Sequence, residues 1–371
     1  MRREVRDVLA LPESREALSS LAGEPEPDAR PLYRILGRHG LLAVSWPAAY
    51  GGRDADHTEA AAVIEELVHG GVPDMLHVLS VQIVGLFLLQ AGSEEQKARY
   101  LPALAAGERF ATVLYTEPDV GSDLASLGTR AIREGDGGYR LSGTKVYGLK
   151  SGFSDVGLCA ARTGEGSNKY DGISLFLVEL ATDGVRRGTL PSIADDQFDH
   201  VTFDEVQVGR EALLGGEGEG WALLNRCLAI ERTGLDYSLK AARWYEATLA
   251  GLPVGTDDPG LLEEIGRYGA AVDSGRLLAW NVVGRLDRGE VDPVTAARAK
   301  YHTSETAQSV AGWASLTHGL GYASHDLAPA DAALLESAYR EAPGLTLSAG
   351  TSQMMLELVA SAFDRSEARV D

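Results

Sequence analysis

Cysteine occurs only twice in 371 residues, at Cys159 and Cys227. No disulfide framework can be built from that, and a reducing cytoplasm is the expected compartment. Positive charge is scarce as well: 34 Lys and Arg face 54 Asp and Glu, a formal net charge of −20. So acidic a chain repels nucleic acids and anionic membranes, and no basic run offsets it. No apolar run approaches the roughly 20 residues that span a bilayer. The most apolar stretch, 79–90, includes Gln82 and Gln90 and reads as a buried helix. The opening MRREVRDVLALPESREAL mixes both charge signs and has no small-residue cleavage site, so no signal peptide is read there. The eight histidines form neither HExxH nor a Cys/His ligand spacing, so no metal site is expected. A GxSxG elbow, a Walker loop and a strand-borne GxGxxG are all missing, which leaves hydrolase and nucleoside-triphosphatase readings without a motif.

What remains is an ordinary globular composition, 44% hydrophobic and 24% charged, long enough for two or three domains. Its periodicity changes twice. Up to about Gly107 it is helical: Ala61, Val63, Ile64, Leu67 and Val68 line one face, and Ser93-Glu94-Glu95-Gln96 is a capping box. Short β-rich runs follow, at 110–115, 129–132, 139–147, 156–162, 173–179 and 201–208. Gly135-Asp136-Gly137-Gly138 marks a hairpin between the second and third, and the spacing implies a compact barrel or sandwich. After the glycine cluster 215–220 the pattern is helical again, with a stop at Gly251-Leu252-Pro253 and a start at Thr256-Asp257-Asp258-Pro259. The expected domains are 1–109, helical; 110–214, β; and 215–371, a helical bundle.

Two stretches are candidates for chemistry. Tyr115-Thr116-Glu117-Pro118-Asp119-Val120-Gly121-Ser122-Asp123 places two hydroxyls, a Pro and a Gly just after a strand. Such a loop either turns amides and hydroxyls towards an anion or polar heterocycle, or is a turn capped by its Ser and Asp. Gly350-Thr351-Ser352-Gln353 opens the final helix, whose N-terminus either holds a phosphate or is simply capped.

Taken in order, these pieces resemble the acyl-CoA dehydrogenase family over nearly the whole chain. LLAVSWPAAYGG (41–52), GSEEQKARYLPALAAG (92–107), TEPDVGSD (116–123), YRLSGTK (139–145), VTFDEVQV (201–208), Glu231-Arg232, Gly319-Leu320-Gly321 and GTSQ (350–353) carry the likeness. The resemblance implies a mainly α protein with a central β-domain: an N-terminal helical domain, a middle β-barrel and a C-terminal four-helix bundle. It also implies FAD between the β-domain and the bundle, and a homodimer or homotetramer. The implied reaction is oxidation of an acyl thioester between Cα and Cβ, with a carboxylate base and hydride transfer to the flavin. Carried over by position, Tyr115, Thr116, Gly121 and Ser122 would line the flavin and its phosphates. Tyr147 and Leu149 would flank the ring system, Thr351 and Gln353 would reach the cofactor, and Gly319 and Gly321 would serve a neighbouring subunit.

Four departures qualify that picture. The family's usual base position is Ala349, which cannot take a proton. The alternative place on a bundle helix falls near Gly251 and has no carboxylate, which leaves Glu231, Asp236 and Glu246, read as sharing one helix, as candidate bases. The arginine arm towards a neighbour's FAD is replaced by GLPVGTDDPG (251–260), with Asp257 and Asp258. Leu149 lacks the hydroxyl usual beside the flavin, and His318 replaces a glycine ahead of Leu320. Three functions stay open: a flavoprotein oxidoreductase acting on a CoA- or carrier-protein-bound acyl thioester; a non-catalytic partner subunit of a hetero-oligomeric dehydrogenase; or an enzyme reusing the fold for other chemistry.

Overall fold

The computed structural model describes residues 1–21, 26–135, 137–319 and 328–367, with the side chains at 231 and 364–367 excepted. Its contacts divide the chain into two compact units, Met1–Ser192 with Asp196–Glu231, and Ile193–Asp195 with Arg232–Asp371.

The first unit opens with helices α1 (Arg2–Leu9), α2 (Pro12–Ser19), α3 (Arg30–Arg38) and α4 (His57–His69). The apolar stretch read as a buried helix is one: α5 (Met75–His77) runs through a π-helical segment, Val78–Gly85, into α6 (Leu86–Ala91). In that segment the Ser80 hydroxyl accepts from Ala111 N at 2.8 Å and donates to Ala111 O at 3.3 Å, satisfying the first residue of the following strand. Helix α7 (Glu94–Ala105) begins with the predicted capping box: Ser93 Oγ accepts from Gln96 N at 3.2 Å, and Gln96 Oε1 from Ser93 N at 2.9 Å. The same Gln96 amide donates to Glu211 O and Leu213 O, at 2.8 and 2.9 Å, and so ties α7 to a distant segment.

The β-rich middle forms one sheet. Strands β1 (Ala111–Leu114), β2 (Arg130–Arg133), β3 (Tyr139–Leu149), β4 (Val156–Arg162), β5 (Ile173–Glu179), β6 (Val185–Leu190), β7 (Phe198–Val208) and β8 (Leu213–Leu214) lie in the order β6–β7–β3–β2–β4–β5–β8, with β1 parallel to β4. The predicted hairpin joins β2 to β3, with Gly137 N donating to Glu134 O. Central strands β4 and β5 read as unbroken apolar runs because both faces are covered. Leu158, Ala160, Leu175 and Leu177 face the helical core, while Cys159, Ala161, Phe176 and Val178 belong to a second core within the sheet. Strand β6 was not expected from the sequence. Its residues, VRRGTL, are half-buried or exposed and show no apolar alternation. Gly143 sits at φ +152 against Thr129, and a Cβ there would stand 2.5 Å from Thr129 Oγ1 and 2.8 Å from its Cα. Helix α8 (Gly220–Glu231) completes this unit.

The second unit is helical: α9 (Leu235–Ala250), α10 (Pro259–Asp287), α11 (Pro293–His318), α12 (Pro329–Leu345) and α13 (Ser352–Glu367). Alanines 307, 311 and 314 on α11, with Ala338 and Ala342 on α12, let the helices pack closely around Trp244 and Leu335. Asp258 caps α10 as the sequence predicts, accepting from Gly260 N at 2.8 Å. One expectation is corrected here: Glu231, Asp236 and Glu246 do not share a helix. The chain breaks between α8 and α9 at Gly234, whose φ is +75. A Cβ there would lie 2.9 Å from Thr303 Oγ1 and 3.1 Å from the Ala299 backbone, so glycine permits both the left-handed turn and the close approach of α11.

Gln96→Ala removes one arm of the capping box and takes the amide donor away from the Glu211 and Leu213 carbonyls. It should destabilise the first unit by about 2–3 kcal/mol, against about 1 kcal/mol for Ser93→Ala. Urea unfolding of the two variants followed by circular dichroism measures the difference; equal losses would show that the Gln96 amide contributes nothing beyond the cap.

Candidate functional site

The loop after β1 is held by a buried ion pair. Glu117 accepts from Lys145 Nζ at 2.7 Å, from Thr129 N at 2.8 Å and from Gly128 N at 2.6 Å. The Lys145 ammonium also donates to Tyr115 O at 3.1 Å, and the Lys145 side chain is only 1% exposed. One residue on, Val146 N donates to Thr116 O at 2.9 Å. Residues 115–117 are thereby fastened along 145–146, and Tyr147 follows directly. Burial works against the Glu117 carboxylate, but the Lys145 charge and the hydrogen bonds from Lys145, Thr129 and Gly128 outweigh it and lower its pKa. The sequence reading quoted both motifs without pairing these two residues. Opposite charge is their one signal, and Asp119, Asp123, Arg140 and Lys150 nearby share it.

Beyond Glu117 the loop closes on itself, with Glu117 N to Val120 O at 2.9 Å and Val120 N to Glu117 O at 3.0 Å. Gly121 and Ser122 are exposed at its open end, and a Cβ on Gly121 would meet nothing within 4 Å. Asp123 accepts from Ser126 Oγ and Lys169 Nζ, both at 2.6 Å, so this acid serves the local turn. Tyr147 is left-handed (φ +57), 59% exposed and edge-on to Phe198 at 5.6 Å between ring centroids. It lies where the β3–β7 register shifts, between Val146 and Gly148. Leu149 is half-buried, and its carbonyl accepts from Thr112 Oγ1 at 2.7 Å. The first unit thus brings Tyr115, Thr116 and Tyr147 together on one brace, with Gly121 and Ser122 at the tip of the same loop.

In the second unit, Thr351 caps α13. Its hydroxyl accepts from Met354 N at 3.3 Å and its carbonyl from Met355 N at 3.0 Å, which leaves the hydroxyl proton free to donate elsewhere. Gln353, two residues further on, is exposed. Ser352 Oγ is hydrogen-bonded to Glu305. Ala349 is left-handed (φ +52), and its carbonyl accepts from Arg232 Nε at 2.9 Å. The neighbouring Ser348 hydroxyl lies 3.2 Å from Tyr237 OH. Asp236 is half-buried in the first turn of α9. Glu246 is exposed ten residues further along, about 15 Å at 1.5 Å per residue. The Glu231 side chain lies outside the described residues, as does Gly321. Gly319 is exposed just after α11, with φ +76. His318 is buried, with Nε2 3.0 Å from Thr248 O, a packing role for this departure. Asp257 and Asp258 are exposed, and Asp258 is occupied by its cap. Among the described residues, no group of three or more His, Cys, Asp or Glu side chains could hold a metal ion.

Three family models match in chain order: the acyl-CoA dehydrogenase N-terminal domain over residues 2–108, the middle domain over 112–206 and the C-terminal domain over 218–363. Acyl-CoA dehydrogenase FadE29 of Mycobacterium tuberculosis is 32% identical over 294 residues, which is 76% of this chain and 74% of that protein. Acyl-CoA dehydrogenase FadE34 of the same organism is 37% identical over 231 residues, 60% of this chain and only 31% of its own length. A solved structure named as the Tcur3481-Tcur3483 steroid ACAD aligns with a TM-score of 0.86 at 25% identity, covering 97% of this chain and 95% of that one. The chain belongs to the acyl-CoA dehydrogenase family. Its helical, β and helical order is the architecture that the family implies.

Removing one partner of the Glu117–Lys145 pair strands a buried charge, so Lys145→Met should cost about 3–5 kcal/mol, and the double variant with Glu117→Gln should recover part of it. The folded carboxylate has the lower pKa, so its stabilisation is present above the ordinary glutamate value. It is lost as pH falls through the folded value. Urea midpoints between pH 3 and 7 should therefore drop less in the double variant than in the parent. Parallel curves would mean that the pair does not carry this pH dependence.

Proposed function

We propose that this chain is a flavoprotein that binds FAD and acts on an acyl thioester, bound to CoA or to a carrier protein. The observation that carries this reading is the Glu117–Lys145 brace, which fastens Tyr115-Thr116 to Val146 and leaves Gly121, Ser122 and Tyr147 facing outward. The residues suit a flavin. Tyr147 offers an exposed aromatic face, and open space over Gly121 admits close backbone approach of a phosphate. Within the first unit the hydroxyls of Thr116 and Ser122 supply donors and Leu149 an apolar flank, and within the second Thr351 and Gln353 offer a hydroxyl and an amide. Bound there, FAD would accept the hydride that leaves the thioester Cβ. The chain's own part is to hold and orient. Tyr115 and Thr116 are fixed through their carbonyls, which holds the backbone from which their side chains leave.

The α-proton is where this chain departs from its family's implied chemistry. Ala349 presents a methyl group on a turn whose backbone is held by Arg232. That observation favours a second reading, in which the chain is the partner subunit of a hetero-oligomer and another subunit carries the base. One similar structure bears two joined names, Tcur3481-Tcur3483. Under the first reading the assembly is a homodimer or homotetramer, and Asp236 is the described carboxylate closest along the chain to Arg232. No described helix is long and apolar enough to cross a membrane.

Purified protein incubated with FAD and desalted should keep a visible flavin spectrum, and an acyl thioester added without oxygen should bleach it. Ala349→Glu should raise the bleaching rate at least tenfold, because proton transfer by a positioned group contributes roughly 10²–10⁴-fold. A protein that loses all flavin on desalting refutes the flavoprotein reading. Retained flavin that bleaches only after co-expression with a paralogue bearing a glutamate at the 349 position selects the partner-subunit reading.

A further inference from the structure

The turn at Ala349 rests on a second cation. Lys300 lies on α11 beside Ala296, Ala297 and Ala299, and no part of it is exposed. Its Nζ donates to Gly350 O at 2.8 Å and to Leu345 O at 3.2 Å, and stands 5.4 Å from the centre of the Tyr237 ring. Two carbonyls and an aromatic face give its N–H groups acceptors. Leu345 ends α12, and Gly350 precedes the residue that caps α13. One ammonium therefore ties together both ends of the segment that contains residue 349. The segment needs holding, because Ala349 and Gly350 are left-handed in succession, at φ +52 and +95. A fully buried lysine carries a desolvation cost that an apolar residue at this place would not.

We propose that Lys300 is the positioning residue of the Leu345–Gly350 segment: its side-chain nitrogen, together with the Arg232 guanidinium, fixes the backbone that presents residue 349. The clamp is read from the bundle alone. Only its service to catalysis rests on the function proposed above.

The charged groups facing Lys300 are Arg232 ahead of α9, Asp236 on α9 and Glu305 on its own helix, with the Tyr237 phenol nearby. Burial first, then Arg232, pushes the Lys300 pKa down to about 8, while Asp236 and Glu305 act the other way. Opening the segment returns the amine to water and to its ordinary value near 10.4. Between those two values opening takes up a proton. Raising the pH through that window therefore disfavours opening, by up to about tenfold per pH unit.

The sequence has six lysines, so lysine labelled with carbon-13 at Cε gives few signals, and Lys300→Arg identifies the one of interest. That signal should titrate near pH 8. Amide hydrogen exchange over residues 344–352, corrected for intrinsic rates, should be at least tenfold faster in Lys300→Met at pH 7 and close to the parent in Lys300→Arg. In the parent, protection of this segment should rise at least tenfold between pH 8 and 10, with no such rise in Lys300→Arg. A Lys300→Met segment as protected as the parent's overturns the proposal. If Lys300→Met does not fold, the parent's pH profile set against Lys300→Arg decides. Loss of flavin from the parent protein would refute the flavoprotein reading and leave these results standing.

Discussion

Between β1 and β3 a carboxylate and an ammonium are buried together, and the loop after β1 is organised around them. Glu117 satisfies two backbone amides at 128 and 129 while accepting from Lys145, and Lys145 also holds the Tyr115 carbonyl. Such a pair is a poor source of stability relative to apolar packing, because both ions give up their hydration. What it supplies is placement. A loop that would otherwise be free to adopt several turns has its start fixed on β3 and its far end fixed on the approach to β2. The Ser122 hydroxyl and Gly121 are then presented at the tip.

The helical unit reaches a comparable rigidity by different means. There the fixed charges are cations, and what they grip is peptide carbonyl oxygen: Ala349 by Arg232, Gly350 and Leu345 by Lys300. A carbonyl dipole is a weaker partner than a carboxylate, which is why Lys300 shows the burden of burial while Lys145, opposite Glu117, has a full counter-charge. In both units a strained backbone stretch lies beside the buried charge, at Tyr147 in one and at Ala349-Gly350 in the other. Local strain of this kind persists only where surrounding contacts over-determine it.

Much of the scaffold could be read from residue order because its signals are local. The capping box at Ser93, the cap at Asp258, the hairpin at 135–138 and the apolar runs of β4 and β5 each depend on a few neighbouring residues. Three features could not be read this way. Strand β6 is held mainly by its ladder to β7 and has no inward apolar face to announce it. The break at Gly234 looks like a tolerated glycine inside a helical pattern until the backbone of α11 is seen against it. The pairing of Glu117 with Lys145, and of Lys300 with carbonyls 45 and 50 residues away, joins positions that nothing in their immediate sequence connects. The candidate site was legible as a set of motifs. Which of their residues are structural and which are presented was not.

Ala349 keeps a left-handed backbone that glycine, asparagine or aspartate would occupy with no more difficulty than alanine. Its carbonyl is held by Arg232. The codons for alanine and glutamate differ at the second letter and share third-letter variants, so from a suitable alanine codon a single base change would place a carboxylate here. In mutational terms this chain stands one step from a relative with an acidic residue on the same turn, and the fold would register little of the crossing in either direction.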